Sequence, residues 1–258
     1  DVTAPQRRFM GSGVNLYEVV PGDNAPVLVD TGYSGAPLTG VVLAPVNSAR
    51  PYLYVGDVSR TRKVDGYIND IFECSYGHVR YEIAERHEID HFPIKQDGFQ
   101  YDANSFVKAW RARSGFHQPD MSDYPALLKV REDLIRKIEA GEIDEFWMMG
   151  FPYAGFYESC MGGRGAVWCN GPVIPGTENI SRKFVVMGFN YERGVDCMLE
   201  NFGHRTESIM SHVFRNHSPA QNLWERFIRY DKIAPGQSHC GNVHFAPSSA
   251  RDYDWGNT

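Results

Sequence analysis

The chain has 258 residues, 42% of them hydrophobic and 22% charged, enough for one large core or two small ones. A formal charge of −6 and a pI near 5.8 argue against a nucleic-acid partner, which needs a basic stripe to neutralise phosphates. No apolar stretch approaches the roughly 18 to 20 residues of a membrane span, and Asp1 to Arg8 lack the apolar core of a signal peptide, as a mature chain relieved of its leader would.

The first 75 residues read as strands and turns. Pro26 to Asp30, Val41 to Ala44 and Pro51 to Val55 are short apolar runs bounded by Gly, Pro or Asn. Val79, Tyr81 and Ile83 alternate with Arg80 and Glu82, which predicts a strand with one wet face. Asp123 then reads as an N-cap, with Pro125 in the first turn and a stripe of Leu127, Leu128, Leu134, Ile135 and Ile138 ending at Gly141, which predicts one helix. Glu145 to Met149 and Lys183 to Phe189 are continuous apolar runs, each predicting a strand buried on both faces. A long helix from about Arg193 to Phe214 follows, then a short one near Asn222 to Tyr230, then an irregular tail over 232–258. This rhythm predicts one α/β domain over residues 1–258, a sandwich with a mixed central sheet flanked by helices.

Ligands in open α/β sheets bind beyond the carboxyl ends of strands. The loop after the first buried strand carries Tyr153, Tyr157, Glu158 and Trp168, and the loop after the second carries Glu192 and Arg193. Two carboxylates facing one cleft are what glycoside hydrolysis requires, so Glu158 and Glu192 are the acid/base candidates. Glu192 in a first helical turn would equally complement the helix dipole. The chain is 13% aromatic, with five Trp and fourteen Tyr, and a surplus of this kind lines clefts for flat ligands as readily as it fills a core.

On the long helix, Val195, Met198, Leu199, Phe202, Ile209 and Val213 share one side and predict its core face. Asp196, Glu200, His204, Glu207 and Ser211 share the other. Spacings of four and three stack Glu200, His204 and Glu207 on adjacent turns, as a helix offers ligands to a divalent metal, although a solvated face has the same pattern. Gly203 costs that helix about 1 kcal/mol and points to something pressed against its backbone. The tail adds His244, Asp252, Asp254 and Trp255, which would complete a metal site or a substrate cleft, or pin a surface tail.

Other motifs are weaker. His87-Glu-Ile-Asp-His91 matches the zincin pattern, which demands a helix, but it follows an alternating segment and Pro93 comes soon after. The five cysteines have no C-x-x-C pair. Cys160 and Cys169 flank a glycine-rich loop and are the pair expected to bridge if the compartment is oxidising. Ser159-Cys160 lacks the G-x-S-x-G frame of a nucleophile turn, which leaves a Cys160 nucleophile paired with His204 as a minor alternative.

The segments FPYAGFYES (Phe151 to Ser159), NYERGVDCMLENFGHRTES (Asn190 to Ser208) and NVHFAP followed by DYDW (Asn242 to Trp255) resemble a family of uncharacterised, secreted bacterial proteins. The resemblance runs from about Val79 to the end and rests on Arg193-Gly194, Gly203-His204, Glu207 and the DYDW tail. It implies export and carries no activity, and His87, His91 and Cys160 lie outside its pattern.

The sequence thus leads to a secreted hydrolase acting on a carbohydrate polymer or glycoconjugate, with Glu158, Glu192, His204 and Glu207 as catalytic candidates. Tyr153, Tyr157, Trp168, Arg193, His244, Asp252, Asp254 and Trp255 are expected to bind substrate. The alternatives are a metal-dependent peptidase or esterase, with His204, Glu207 and His244 holding a divalent ion, and a non-catalytic glycan-binding module.

Overall fold

A computed structural model describes residues 8–12, 15–19, 27–29, 59–87, 89 and 91–249. The chain divides into two compact units, Asp1–Tyr81 and Glu82–Thr258. In the first, strands β1 (Arg8–Ser12), β2 (Asn15–Val19) and β3 (Val27–Val29) form an antiparallel meander, with Arg8 opposite Val19 and Leu16 opposite Val29. The strand expected near Pro26 to Asp30 is β3; those at Val41 to Ala44 and Pro51 to Val55 lie outside the described residues. The same unit contains helix α1 (Ser59–Cys74), whose Tyr67 and Ile71 are buried one turn apart. Residues 79–83 correct the expectation of a strand: their backbone is irregular, and the alternation is met by Tyr81 stacking on Tyr67 and Arg80 lying over Phe72.

In the second unit, α2 (Ala103–Ala112) starts at a capping box, with Asp102 accepting from the Ser105 N–H and the Ser105 hydroxyl receiving the Asp102 N–H. The helix predicted from Asp123 to Gly141 is two, α3 (Tyr124–Lys129) and α4 (Glu132–Ala140), although both predicted ends are right. Asp123 accepts from the Ala126 N–H, and Gly141 takes the left-handed C-cap at φ 75°. Between them Arg131 leaves helical geometry and grips Asp133 through two nitrogens, at 2.9 and 2.7 Å. Leu127, Leu128, Ile135 and Ile138 still pack on one core across the break.

The sheet of this unit has the order β4 (Glu145–Gly150), β6 (Phe184–Asn190), β5 (Ser159–Gly162). Strand β4 is parallel to β6, with Glu145 opposite Val185, and β5 is antiparallel to it, with Ser159 opposite Met187. The predicted mixed sheet is therefore present, as three strands. Of the two predicted runs, β6 is buried along nearly its whole length, whereas β4 is an edge strand with half-buried side chains, so a continuous apolar run marked burial on both faces correctly once in two cases. Phe184 and Val186 join Tyr124, Ile138, Cys160 and Ile174 in the core beneath α3 and α4. By strand alternation Val185, Met187 and Phe189 face the other way, where α5 (Val195–Phe214) lies against β5 and its Arg205 pairs with Glu145 at 2.6 Å. Helices therefore cover both faces of the sheet. After α6 (Leu223–Phe227), the described residues to 249 form turns without regular structure. No described helix is long and apolar enough to cross a membrane.

A buried lysine that the sequence did not advertise fixes the loop after β4. Lys95 is buried; its Nζ donates to the Tyr153 carbonyl (2.8 Å), the Ala154 carbonyl (3.1 Å), the Asp120 carboxylate (3.1 Å) and the Asp120 carbonyl. Ser122 reinforces the loop by donating its hydroxyl to Ala154 and its N–H to Gly155.

Candidate metal centre on helix α5

The predicted polar side of α5 is half-buried at Glu200, His204 and Glu207, while Asp196 and Ser211 at its two ends are exposed. Residues 241–245 lie along it, and Gly203 is what lets them approach: a Cβ there would sit 2.6 Å from Val243 Cγ2. This is the close neighbour that the mid-helix glycine predicted. The Val243 N–H donates to Glu207 Oε1 at 2.9 Å, while Asn242 Oδ1 receives the N–H groups of His244 and Phe245 and turns the chain. The Phe245 ring stacks on Tyr230, centroids 4.5 Å apart and planes within 10°. The opposite side of the helix corrects its predicted role in part: Met198 is buried, but Val213 is 52% exposed.

This docking brings His244 against His204. Their Nε2 atoms are 2.9 Å apart, and Glu200 Oε1 is 3.8 Å from His204 Nε2. Glu200, His204 and His244 each present one ligand atom with all three inside 4.8 Å, the one group of metal-ligating type found among the described residues. The other nitrogen of His204, Nδ1, is 3.1 Å from Glu207 Oε2. Glu207, expected as a ligand, contacts His204 on its Nδ1 side and lies outside the trio, in which Glu200, nearly two turns earlier on α5, stands. The charges act on both partners. Its hydrogen bond to Glu207 raises the His204 pKa against the opposing effect of burial, with further support from Glu158. Burial alone would raise Glu207, but the bonds from His204 and from the Val243 N–H carry it below the ordinary range.

Glu158 reaches this cluster from the sheet. Gly188 has no side chain to block residues 156–158, and a Cβ there would meet the Tyr157 carbonyl at 2.3 Å. The Gly188 N–H then donates to the Glu158 carbonyl (3.1 Å), while Asn201 of α5 donates to the Gly188 carbonyl (2.8 Å). The Glu158 carboxylate accepts from Asn170 Nδ2, and the Asn170 N–H donates to the hydroxyl of Ser208, one turn beyond His204. Asn170 adopts a left-handed φ of 52°, which Asn tolerates in the Cys-Asn-Gly turn. That turn was the available signal for Asn170; nothing in the sequence pairs it with Glu158.

The remaining expected residues lie elsewhere. Glu192 is exposed in the turn after β6, its N–H on Asn190 Oδ1, and enters none of these hydrogen bonds. Arg193 is exposed and approaches Cys197 Sγ at 3.9 Å. Tyr153 stacks on Phe116 at 3.6 Å, and Tyr157 packs on Tyr124, beside a cavity of about 350 Å³ on the α3 side of the sheet. Trp168 is 62% exposed, two residues before Asn170. Asp252, Asp254 and Trp255 lie outside the described residues.

Two minor expectations meet physical objections. His87 and His91 are in irregular backbone, and His87 is engaged with Glu85 and Arg131, so the zincin pattern lacks its helix. Cys160 is buried in the core under α3, and burial pushes its thiol far above the range in which a thiolate attacks. Cys160 and Cys169 are both free thiols, which removes the disulfide argument for an oxidising compartment. No family model, curated protein or solved structure matches the chain.

Proposed function

We propose that the chain is a metal-dependent hydrolase whose centre is Glu200, His204 and His244. The observation that carries this reading is the facing pair of imidazole Nε2 atoms at 2.9 Å with a carboxylate oxygen 3.8 Å from one of them. Two histidines and one carboxylate are the donor set of a catalytic divalent-cation site that keeps a position open for water or substrate. A cation held there would supply Lewis-acid polarisation of a carbonyl and a lowered pKa for water. The protein's own part is to hold the donors in place. Glu207 sets the His204 tautomer, leaving Nε2 as the donor atom, and the same carboxylate fixes Val243 next to His244.

The paired-carboxylate glycosidase reading has less support, because only Glu158 of the pair is tied into the cluster. A glycoconjugate substrate stays within the proposal: an exposed Trp168 beside Asn170 suits a ligand with a flat apolar face, such as a sugar ring. Export is part of the proposal on the segment resemblance alone.

The test is elemental analysis of chelator-free protein together with hydrolysis of p-nitrophenyl acetate. About one divalent transition ion per chain is expected, with hydrolysis abolished by dipicolinate and restored by Zn²⁺. A metal-free preparation that hydrolyses the ester undiminished would sink the reading.

A further inference from the structure

Glu158 has no ligand role in the trio, yet it is held with unusual care. Its carbonyl is on the central strand through Gly188, and its carboxylate is on Asn170, which is itself fastened to α5 through Ser208. The second attachment ends at Ser208, one turn beyond His204, and Asn201 of α5 in turn donates to the Gly188 carbonyl. A carboxylate fixed beside a cation site but outside its ligand set is placed to accept a proton from whatever the cation acidifies.

We infer that Glu158 is the proton acceptor of this site, that Asn170 is its positioning residue, and that the site takes neutral protic ligands in preference to anions. The inference rests on the metal-centre reading. Its second half follows from charge: Glu158, Glu200 and Glu207 accompany two histidines, so a divalent cation would leave these five side chains net negative. Arg205, the residue after His204, is turned to Glu145. A phosphate would meet three carboxylates, whereas a hydroxamic acid arrives neutral, gives its proton to Glu158 and leaves its oxygens to the cation. In that transfer the hydroxamic O–H bond breaks, the carboxylic O–H bond forms on Glu158, and no redox change is involved.

The experiment uses the full chain loaded with Zn²⁺, with acetohydroxamic acid and inorganic phosphate as probes in calorimetry. Wild type is expected to bind acetohydroxamate and to leave phosphate unbound at the same concentration. Glu158→Gln keeps the shape and the Asn170 contact; it should hold Zn²⁺ with unchanged affinity and lose at least about tenfold in hydroxamate affinity. Asn170→Ala should show a smaller loss and Zn²⁺ affinity like that of wild type. Equal hydroxamate binding by Glu158→Gln overturns the proton-acceptor role, and tighter binding of phosphate than of hydroxamate overturns the ligand class. Failure of wild type to take up Zn²⁺ is a distinct result that removes the metal-centre reading itself, and the inference with it.

Discussion

Two polar clusters stand at either end of the loop that follows β4, and they solve opposite problems. At Tyr153 and Ala154, Lys95 brings one cation into the interior and meets four oxygens, and the lysine side chain is 1% exposed. At Glu158 the sheet and α5 converge on two imidazole rings and several carboxylates, and the side chains of His204, Glu207 and Glu200 stay 15%, 26% and 30% exposed. The first cluster is closed and uses its charge for shape. The second brings acceptors together where solvent still reaches them, which is what a site for a cation requires.

The comparison is tested most severely at Lys95. Lys95→Met keeps the length but leaves the Asp120 and Tyr153 carbonyls and the Asp120 carboxylate without this donor, while Ser122 still serves the Ala154 carbonyl, and it should cost about 3 to 5 kcal/mol of stability in urea unfolding. A loss under about 1 kcal/mol would mean that water fills the gap and the cluster is not closed. At the other end Glu207→Gln should be mild for folding. It should weaken Zn²⁺ binding by about 10- to 100-fold, the range for an outer carboxylate on a ligating histidine. An unchanged affinity would return Glu207 to a purely structural role.

The smallest effect expected is on pH. In the metal-free protein His204 is raised by Glu207, so its contribution is full below the ordinary histidine range and is lost as pH rises through the folded value. Glu207 is lowered, so its contribution is present above the ordinary glutamate range and is lost as pH falls through the folded value. The His204–Glu207 bond should therefore add most to thermal stability between these two limits, by less than about 1 kcal/mol given the partial exposure. Metal competes with the proton at His204, so Zn²⁺ loading should move the stability maximum to higher pH. A melting series with and without Zn²⁺ checks the direction; coincident maxima would show that the ion does not contact this histidine.

Much of the second unit was legible because its signals are local. The Asp123 cap, the Gly141 stop, the start of α5 and the apolar run of β6 each depend on neighbours in the chain. The stripe from Val64 through Tyr67, Ile68 and Ile71 to Phe72 has the same clarity, and it marks α1, where strands and turns were expected. What pattern alone misread was partnership. Glu200, His204 and Glu207 share a helix face whether that face meets water or a folded tail, and only the approach of Val243 at Gly203 decides which. The same gap concealed Lys95, whose four acceptors come from residues 25 to 59 positions away, and Asn170, whose partners lie 12 and 38 positions away.

The notch at Gly203 has a consequence for how the chain is made. His244 follows His204 by 40 positions, and closing a loop of that length costs about 3 kcal/mol of chain entropy. When α5 first leaves the ribosome, its polar stripe therefore has one histidine and two glutamates and no partner across from them. A divalent ion met at that stage finds half a binding site. In the proposed metal centre, capture would wait until the chain has been extended past Phe245 and Val243 has seated on the helix, so the centre would be assembled after translation of both its halves and would not guide the folding of α5.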